Sequence, residues 1–294
     1  MENRFDNSAN WVILSPIEQS IKRKIEAVGT PLKDWNVKIY RGVLTGYNDA
    51  FIIDRAKKDE LIAADPKSAE IIRPILRGRD IKRYGYDFAD LWLINTHNGI
   101  KEQGIPSIDV NEYPAIKAHL DQYYDIISKR YDKGDTPYNL RNCIYTDDFS
   151  HQKIIWGEIS DKPKFTIDDG IYFLSNKAFL MSGSKLKYLL SFLNSEICEY
   201  YFGKIATTTG EGTVQWLKYK VETLPIPIVD YEIEKRLSIL IDDIIKSEGE
   251  RFEQINTQID NVIYNIYGLS QEEVEYVKNN LKSYKQAISL SVSP

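Results

Sequence analysis

The feature that most limits the fold of this chain is a series of short apolar runs rich in β-branched and aromatic residues. They read VKIY (37–40), AFIID (50–54), LWLIN (91–95), KIIWGEI (153–159), GIYFL (170–174) and AFLM (178–181). Such runs are typical of β-strands. The intervals between them vary in length and contain helical pieces, whereas a doubly wound parallel sheet needs regular crossover helices. The sequence therefore predicts an α+β fold with a mixed or antiparallel sheet and peripheral helices.

Helices are predicted where apolar residues recur every three or four positions. Residues 15–18, SPIE, form a capping box with proline at the first helical position, and an apolar face follows until Gly29. Similar stripes predict helices near residues 113–131 and 186–203. These stripes are interpreted as core packing.

The last quarter of the chain has a different pattern. The segment LPIPI (224–228) cannot be helical and predicts an extended connector, so we divide the chain into an α+β domain, 1–228, and a helical segment, 229–294. Apolar residues from Ile233 to Ile266 form a seam whose phase breaks around Gly249. The seam predicts either one kinked helix or a hairpin of two, and a second capping box at 270–273 opens a final helix.

Charge and composition restrict the class of protein. The net charge is −5, but residues 229–294 alone hold 12 acids against 7 basic residues, so the preceding part is neutral. No apolar run reaches the length of about 18 residues that spans a bilayer, and the first residues lack the pattern of a signal peptide. Cys143, Cys198 and the three histidines show no zinc-site spacing. We expect a cytoplasmic protein with reduced thiols.

No motif for catalysis is found in the sequence. A glycine-rich turn for S-adenosylmethionine, the Asn/Asp-Pro-Pro-aromatic loop of amino-methylating enzymes, GxxxxGK[ST] and GxSxG are all absent. The best nuclease candidate is Asp147 or Asp148 with Glu158, because such enzymes gather carboxylates and a lysine around a divalent ion. Ser160 stands where that lysine is expected, so Glu158 also fits an ordinary strand-end glutamate, and His151 a surface-loop histidine. The sequence predicts no catalytic site in this chain.

Two glycine-containing segments are candidate binding loops. TTTGEGTVQW (207–216) combines threonine hydroxyls with two glycines, so its backbone amides can approach phosphates closely. RGVLTGYNDAF (41–51) places a tight turn at 45–49 beside Arg41. From composition alone, the first also fits a flexible glycine loop and the second an ordinary strand-turn-strand connection.

A basic cluster lies between two of the predicted strands. Residues 70–84, which include IIRPILRGRDIKRY, carry five basic residues against two acids, a local charge of +3. The apolar residues Ile71, Ile72, Ile75 and Leu76 are expected to face the core. The basic side chains fit either contacts with a polyanion or a solvated turn whose arginines pair with nearby acids.

Six segments in a fixed order give the chain a family resemblance. They are RGVLTGYNDAFIID, IIRPILRGRDIKRYG, YNLRNCIYTDDFSHQKIIWGEIS with KPKFTIDDGIYF, YLLSFLNSEICEYYF, GEGTVQWLKYKVETLPIPI and IDNVIYNIYGLSQEEVEYV. Together, over residues 35–277, they resemble the TaqI-like C-terminal specificity domain. That domain follows the methyltransferase domain in type IIG restriction-modification enzymes and related adenine-specific DNA methyltransferases.

The resemblance implies a target recognition domain that reads double-stranded DNA while a separate catalytic domain flips and methylates the adenine. The implied DNA contacts come from the turn at 45–49, the basic cluster, the YNLRNC segment and the glycine loop. The candidate residues are Arg41, Thr45, Gly46, Tyr47, Asn48, Arg77, Arg79, Lys82, Arg83, Arg141, Thr208, Thr209, Gly210, Gly212, Gln215, Trp216 and Lys218.

Partners and cofactors are likewise implied by the resemblance. The partners would be double-stranded DNA and the methyltransferase or nuclease domains of the same parent chain or of a partner subunit, with no membrane. S-adenosylmethionine, and Mg²⁺ for cleavage, would be bound by those catalytic domains and not by this chain. Residues 229–294 would be a spacer or docking surface. The alternative hypothesis is a helical protein-interaction or specificity subunit that recruits a separate methyltransferase or nuclease.

Overall fold

The structure is a computed structural model that describes residues 14–206 and 212–291. The α-helices are α1 (Pro16–Val28), α2 (Asn48–Phe51), α3 (Arg55–Ala64), α4 (Pro114–Asp121), α5 (Tyr124–Ile127), α6 (Leu186–Leu193), α7 (Glu196–Ile205), α8 (Lys218–Val221), α9 (Tyr231–Ile245), α10 (Gly249–Ile266) and α11 (Gln271–Ser291). The strands are β1 (Gly29–Pro31), β2 (Val37–Arg41), β3 (Ile52–Asp54), β4 (Ile72–Leu76), β5 (Ile81–Lys82), β6 (Gly85–Tyr86), β7 (Leu91–Ile94), β8 (Gln152–Gly157), β9 (Ile159–Ser160), β10 (Phe165–Asp169), β11 (Phe173–Leu174), β12 (Ala178–Gly183), β13 (Val214–Gln215) and β14 (Pro225–Pro227).

An antiparallel sheet in the order β10-β8-β12-β2 lies at the centre of the fold. Successive side chains of a strand point to opposite faces of its sheet, and here both faces are covered. In β8, Ile154 and Trp156 belong to one buried hydrophobic cluster while Ile155 between them belongs to a second. In β12, Met181 and Leu180 divide in the same way. Burial on both faces explains why these strands are continuous apolar runs.

A second sheet in the order β11-β4-β7-β3 shares the cluster that contains Ile155. It is mixed, because β11 pairs with β4 in parallel whereas β4 and β3 both pair with β7 antiparallel. Strand β4 carries the apolar half of the basic segment, and its Ile75 and Leu76 are fully buried as predicted, with Ile71 and Ile72 nearly so. The prediction of an α+β fold with mixed and antiparallel sheets is confirmed.

Helices cover the other face of the central sheet. The cluster that contains Ile154 and Trp156 also holds residues of α1, α6, α7, α9, α10 and α11, among them Ile21, Leu189, Ile197, Leu237, Ile259 and Val277. Helix α9 ends at Ile245 and α10 begins at Gly249, so the seam forms a hairpin of two helices, one of the two predicted alternatives. Both predicted domains therefore share this core, and the seam is packed against the rest of the chain instead of forming a free docking stripe.

A charged pair is enclosed beneath one edge of the central sheet. Lys153 of β8 and Asp168 of β10 contact each other through Nζ and Oδ2, and both side chains are inaccessible to solvent. Lys153 also donates to the carbonyl oxygen of Phe149 at 2.6 Å. Asp168 also accepts from the backbone amides of Ile171 and Tyr172, each at 3.2 Å. All of these contacts to Asp168 are made by Oδ2, while its buried Oδ1 has no hydrogen-bond partner among the described residues. The ion pair and these bonds offset part of the cost of burying the two charges.

Some predicted elements are shorter than expected. Ala50 and Phe51 of AFIID belong to α2, and GIYFL contributes only β11, whereas β10 was not predicted. The helix predicted at 186–203 is divided into α6 and α7, because Ser195 caps α7 by accepting a bond from the amide of Cys198 at 3.2 Å. The stripe at 113–131 is likewise divided, into α4 and α5. In the part of the chain that the structure describes, no helix is long and apolar enough to cross a membrane.

Candidate nucleic-acid interface

An open groove of about 680 Å³ lies between the two sheets. It is lined by Asn48 and Asp49 of α2, by Arg77, Gly78 and Arg79 that follow β4, by Glu158 and Ile159 that follow β8, and by Ser175, Asn176 and Lys177 that precede β12. The groove thus brings together the tight turn and the basic cluster, which are about thirty residues apart in the sequence.

Two glycines allow the backbones to approach closely at the base of this groove. A Cβ atom added to Gly78 would lie 2.4 Å from the carbonyl oxygen of Lys177, and one added to Gly157 would lie 2.7 Å from the carbonyl oxygen of Gly78. Such distances are well inside van der Waals contact, so only glycine fits at either position without a shift of the backbone. The short 3₁₀ helix Gly78–Asp80 is thereby held directly against the end of β8.

The floor of the groove carries an acid held by basic groups. Glu158 is buried, and its Oε2 lies 2.5 Å from Nη2 of Arg41 and 3.7 Å from Nζ of Lys177. Arg41 also donates from Nε to the carbonyl oxygen of Asn176 at 2.6 Å. Arg41, predicted to contact DNA, therefore neutralises the floor, while Lys177 retains most of its exposure, with 65% of its side chain accessible.

The acids considered for a nuclease site are not gathered in one place. Asp148 accepts a hydrogen bond from the hydroxyl of Ser182, and Asp147 lies 3.6 Å from Nδ1 of His151, while Glu158 is engaged by Arg41. Among residues 14–206 and 212–291, no three His, Cys, Asp or Glu side chains are close enough to hold one metal ion.

Arg77 and Arg79, two residues apart, have different environments. Arg77 donates from Nη2 to Oδ1 of Asp80 at 2.7 Å and from Nε to Oδ2 at 3.0 Å, and this bonding raises its pKa. Arg77 therefore fits the alternative in which an arginine of the cluster pairs with a nearby acid. Arg79 is exposed at the groove and has no hydrogen-bonding or ion-pairing partner for its side chain among the described residues.

The other three basic residues of the cluster, Arg73, Lys82 and Arg83, do not line the groove. Lys82 lies 3.4 Å from Oδ2 of Asp87. Arg83 turns toward the helical layer, where its Nη2 donates to Oδ1 of Asn256 at 2.7 Å and to the carbonyl oxygen of Asn194. Arg83 thus makes a structural contact with α10 through Nη2, and its buried Nε has no hydrogen-bond partner among the described residues. The DNA contact of Arg83 stays a prediction.

Asn256, the partner of Arg83 in α10, is itself bonded to a buried acid of that helix, Asp260. Asn256 donates to Oδ2 of Asp260 at 3.3 Å, and the amide of Glu196 donates to Oδ1 at 2.8 Å. Asp260 is 4% exposed, and burial, reinforced by the charge of Glu196, raises its pKa to about 7 against the opposing effects of Arg83 and Lys278.

Asp260→Asn should stabilise the protein in a pH-dependent way. Because the pKa of Asp260 is higher in the folded chain than in the unfolded one, stability contributed by this group is present at low pH and is lost as the pH rises through 7. Between about pH 5 and about pH 8.5, the wild type should lose about 2 kcal/mol of unfolding free energy relative to the variant. Urea denaturation at the two pH values measures this difference. Glu253→Gln, which changes an exposed acid of the same helix, is the control, and parallel pH profiles for Asp260→Asn and wild type would contradict the prediction.

The tight turn is built around a buried arginine that the sequence analysis did not identify. Thr45 donates from its hydroxyl to Oδ1 of Asn48 at 2.6 Å, and Gly46 has a φ of +70°, which favours glycine. Tyr47 packs its ring 6.0 Å from that of Tyr123. Arg130 donates to the carbonyl oxygen of Thr45, which fixes the turn from below, and burial lowers the pKa of Arg130 to about 10.

The segment 207–216 is described only from Gly212 onward, so Thr208, Thr209 and Gly210 lie outside the described residues. Gly212 has a φ of +69°, and Gln215 pairs with Ile159 at the rim of the groove. Trp216 was predicted at the DNA-facing surface but is 2% exposed. Its ring stacks on Phe202 with centroids 3.8 Å apart, so it is a core residue.

Lys218 and Arg141 lie outside the lining of the groove. Lys218, on α8, is 3.6 Å from Glu222 and borders a separate hollow beside β2. Arg141 is exposed and pairs with Asp132 at 2.9 Å. The structure thus places Asn48, Arg77 and Arg79 together at the groove, with Arg41 at its floor and Gln215 at its rim.

The family comparison covers the part of the groove that follows β4, but not Arg41, Asn48 or Asp49. The TaqI-like C-terminal specificity domain matches residues 73–226, which is more than half of the chain. The matched region begins in β4 and ends in β14, and it includes Arg77, Arg79, Glu158 and Lys177.

A relative of known class matches nearly the whole chain. The type II methyltransferase M.BstVI of Geobacillus stearothermophilus is 22% identical over 285 residues, which are 95% of this chain and 48% of that protein. This chain therefore spans about half the length of the curated relative it matches.

Two solved structures, together with the match over residues 73–226, complete the assignment. The type IIL restriction-modification enzyme MmeI, solved in complex with DNA, superposes with a TM-score of 0.65 at 13% identity over 88% of this chain and 36% of that one. The type IIG restriction endonuclease BpuSI gives a TM-score of 0.51 at 17% identity over 85% of this chain and 32% of that one. At these identities the likeness shows a shared fold. The family match over residues 73–226 identifies this chain as a member of the TaqI-like C-terminal specificity domain family.

Proposed function

We propose that this chain is a sequence-specific recognition module for double-stranded DNA and that it works beside a separate adenine-specific methyltransferase of the type IIG class. The observation that carries the proposal is the groove where the turn at 45–48, the exposed Arg79 and Lys177 meet. Family membership and the type II methyltransferase M.BstVI as a relative give the groove its context.

The electrostatics of the groove support contact with a polyanion. Glu158 is neutralised by Arg41 and Arg77 by Asp80, so the charges left exposed at the walls are those of the cations Arg79 and Lys177 and of the single acid Asp49. Cations of this kind bind phosphate oxygens, and an arginine fork also matches the two acceptors of guanine in the major groove. Asn48 adds an amide, which can pair with adenine in the same way.

Catalysis would then lie elsewhere in the assembly. The methyltransferase domain, and a nuclease domain where the assembly cuts DNA, would belong to the same parent chain or to a partner subunit. Those domains would bind S-adenosylmethionine and Mg²⁺. A recognition module whose residues 1–228 are neutral, in a chain of net charge −5, is adequate in such an assembly, because tethering raises its effective concentration near DNA.

Arg79→Ala should weaken binding of this chain to duplex DNA by about tenfold, since it removes the unpaired cation of the groove. Affinity is measured by fluorescence anisotropy over a series of salt concentrations. The first substrate is a pool of 30-base-pair duplexes, and the second is the duplex that repeated selection from this pool enriches. If Arg79 contacts a phosphate, the variant should lose the same affinity on all duplexes, and the slope of log binding constant against log salt concentration should fall by about one. If Arg79 contacts a base, the variant should select a different DNA sequence.

Arg23→Ala is the matched control, because it removes another exposed arginine, from α1 in the helical layer. Unchanged affinity in Arg79→Ala together with a loss in Arg23→Ala would assign binding to another surface. Wild-type binding that is insensitive to salt would contradict the proposal as a whole.

A further inference from the structure

One aromatic side chain next to the turn at 45–48 is almost completely exposed. Tyr131 follows α5, and 97% of its surface is accessible to solvent. Single exposed apolar residues are common on proteins. Tyr131 differs from an ordinary exposed residue because the backbone on both sides of it is held by hydrogen bonds and an ion pair.

The residue before Tyr131 anchors the segment through main-chain contacts. The guanidinium of Arg130 donates to the carbonyl oxygens of Pro137 at 2.8 Å, Asn139 at 3.0 Å and Ile127 at 3.2 Å, in addition to that of Thr45. Arg130 itself is 6% exposed. A single buried side chain therefore ties the base of Tyr131 to three other segments.

The residues after Tyr131 are also fixed. Asp132 pairs with Arg141 at 2.9 Å, and the amide of Gly134 donates to the carbonyl oxygen of Asn139 at 3.0 Å. Tyr131 thus projects from a closed loop with both ends bonded. Holding the backbone that carries a side chain in place beforehand lowers the entropy lost when that side chain binds a partner.

The loop is basic and adjoins the candidate interface. Residues 128–141 contain four basic residues against two acids. Lys129 is exposed and has no side-chain partner among the described residues. Through the contact of Arg130 with Thr45, the loop packs on the turn whose Asn48 lines the groove. A polyanion seated in the groove would therefore meet a positive loop beside the turn.

We infer that Tyr131 is a specificity-determining residue that stacks against a base step of the bound duplex, while Lys129 contacts the neighbouring phosphate. This inference rests on the proposed function. A planar ring recovers its apolar surface on DNA chiefly by stacking on a base or by entering between two base pairs. Pyrimidine–purine steps unstack most easily, so the ring should favour such a step at its position in the recognised sequence.

The test uses the full chain and the duplex selected from the random pool. Tyr131→Ala should bind that duplex about tenfold more weakly, as expected for the loss of one stacked ring, and Tyr131→Phe should bind within about twofold of wild type. 2-Aminopurine placed successively along the duplex should brighten at one step with wild type and Tyr131→Phe, but not with Tyr131→Ala. Tyr231→Ala, an exposed tyrosine at the start of α9, is the control and should leave both readouts unchanged.

Each other outcome overturns the inference in a recognisable way. If wild type selects a duplex and Tyr131→Ala binds it equally well, the inference fails while the proposed function stands. If Tyr131→Phe is as weak as Tyr131→Ala, the hydroxyl and not the ring makes the contact, and stacking is excluded. If wild type binds no duplex, the proposed function fails and the inference fails with it.

Discussion

Lys153→Met is expected to lower the free energy of unfolding by about 3 to 5 kcal/mol. The change removes the ammonium group that faces Asp168, and both side chains are fully buried. It leaves a carboxylate in the interior with only the amides of Ile171 and Tyr172 to stabilise its charge. An unpaired buried charge costs far more than the loss of one surface ion pair. Urea denaturation followed by circular dichroism measures the loss.

Lys164→Met is the matched control, since it breaks the surface pair with Asp161, whose lysine and aspartate side chains are 32% and 48% exposed. Its cost should be about 1 kcal/mol or less. Adding Asp168→Asn to Lys153→Met should restore part of the lost stability, because an amide oxygen can still accept the two backbone bonds without carrying a charge. A double variant no more stable than Lys153→Met would show that charge burial is not the cause.

Gly78→Ala is expected to reduce both stability and DNA binding. The added methyl group would meet the carbonyl oxygen of Lys177 at 2.4 Å, and neither backbone can move away freely because Gly78 also crosses Gly157. Overpacking of this kind costs about 2 to 3 kcal/mol of unfolding free energy. The displaced 3₁₀ helix carries Arg79 with it, so affinity for the selected duplex should fall at least as far as in Arg79→Ala.

Gly85→Ala separates the clash from the general effect of losing a glycine. Gly85 lies in β6, only seven residues away, and nothing lies within 4 Å of a Cβ atom added there. The change should alter stability by about 1 kcal/mol or less and leave DNA affinity as in wild type. Equal effects of the two alanine substitutions would mean that the close crossing at Gly78 does not position the groove.

The sequence predicts an element correctly where the pattern of apolar residues matches the faces that the fold buries. KIIWG and AFLM become central strands because a strand covered on both faces needs apolar residues at every position. The stripe at 186–203 predicts one helix because the buried faces of α6 and α7 both continue it. The break depends on Asn194 and Ser195, and Asn194 bonds to Phe165 on another strand. A partner so distant in the sequence leaves no local signal.

The candidate site could be predicted as a set of segments but not as a set of free side chains. Arg77, Arg79 and Arg83 look alike in the sequence, and only their partners Asp80 and Asn256 distinguish the paired arginines from the exposed one. Lys177 was missed because it lies in a short turn with no charge cluster around it. Arg130 was missed because a buried arginine that binds carbonyl oxygens needs no acidic neighbour in the sequence.

The bonds of Arg130 have a consequence for changing what the protein reads. All of the acceptors of Arg130 described above are main-chain oxygens, which every amino acid possesses. The side chains at exposed positions of the loop, such as 131, can therefore be exchanged without removing the clamp that shapes the loop. Libraries that randomise such positions and keep Arg130 should yield mostly folded proteins, which makes this loop a practical place to retarget the module.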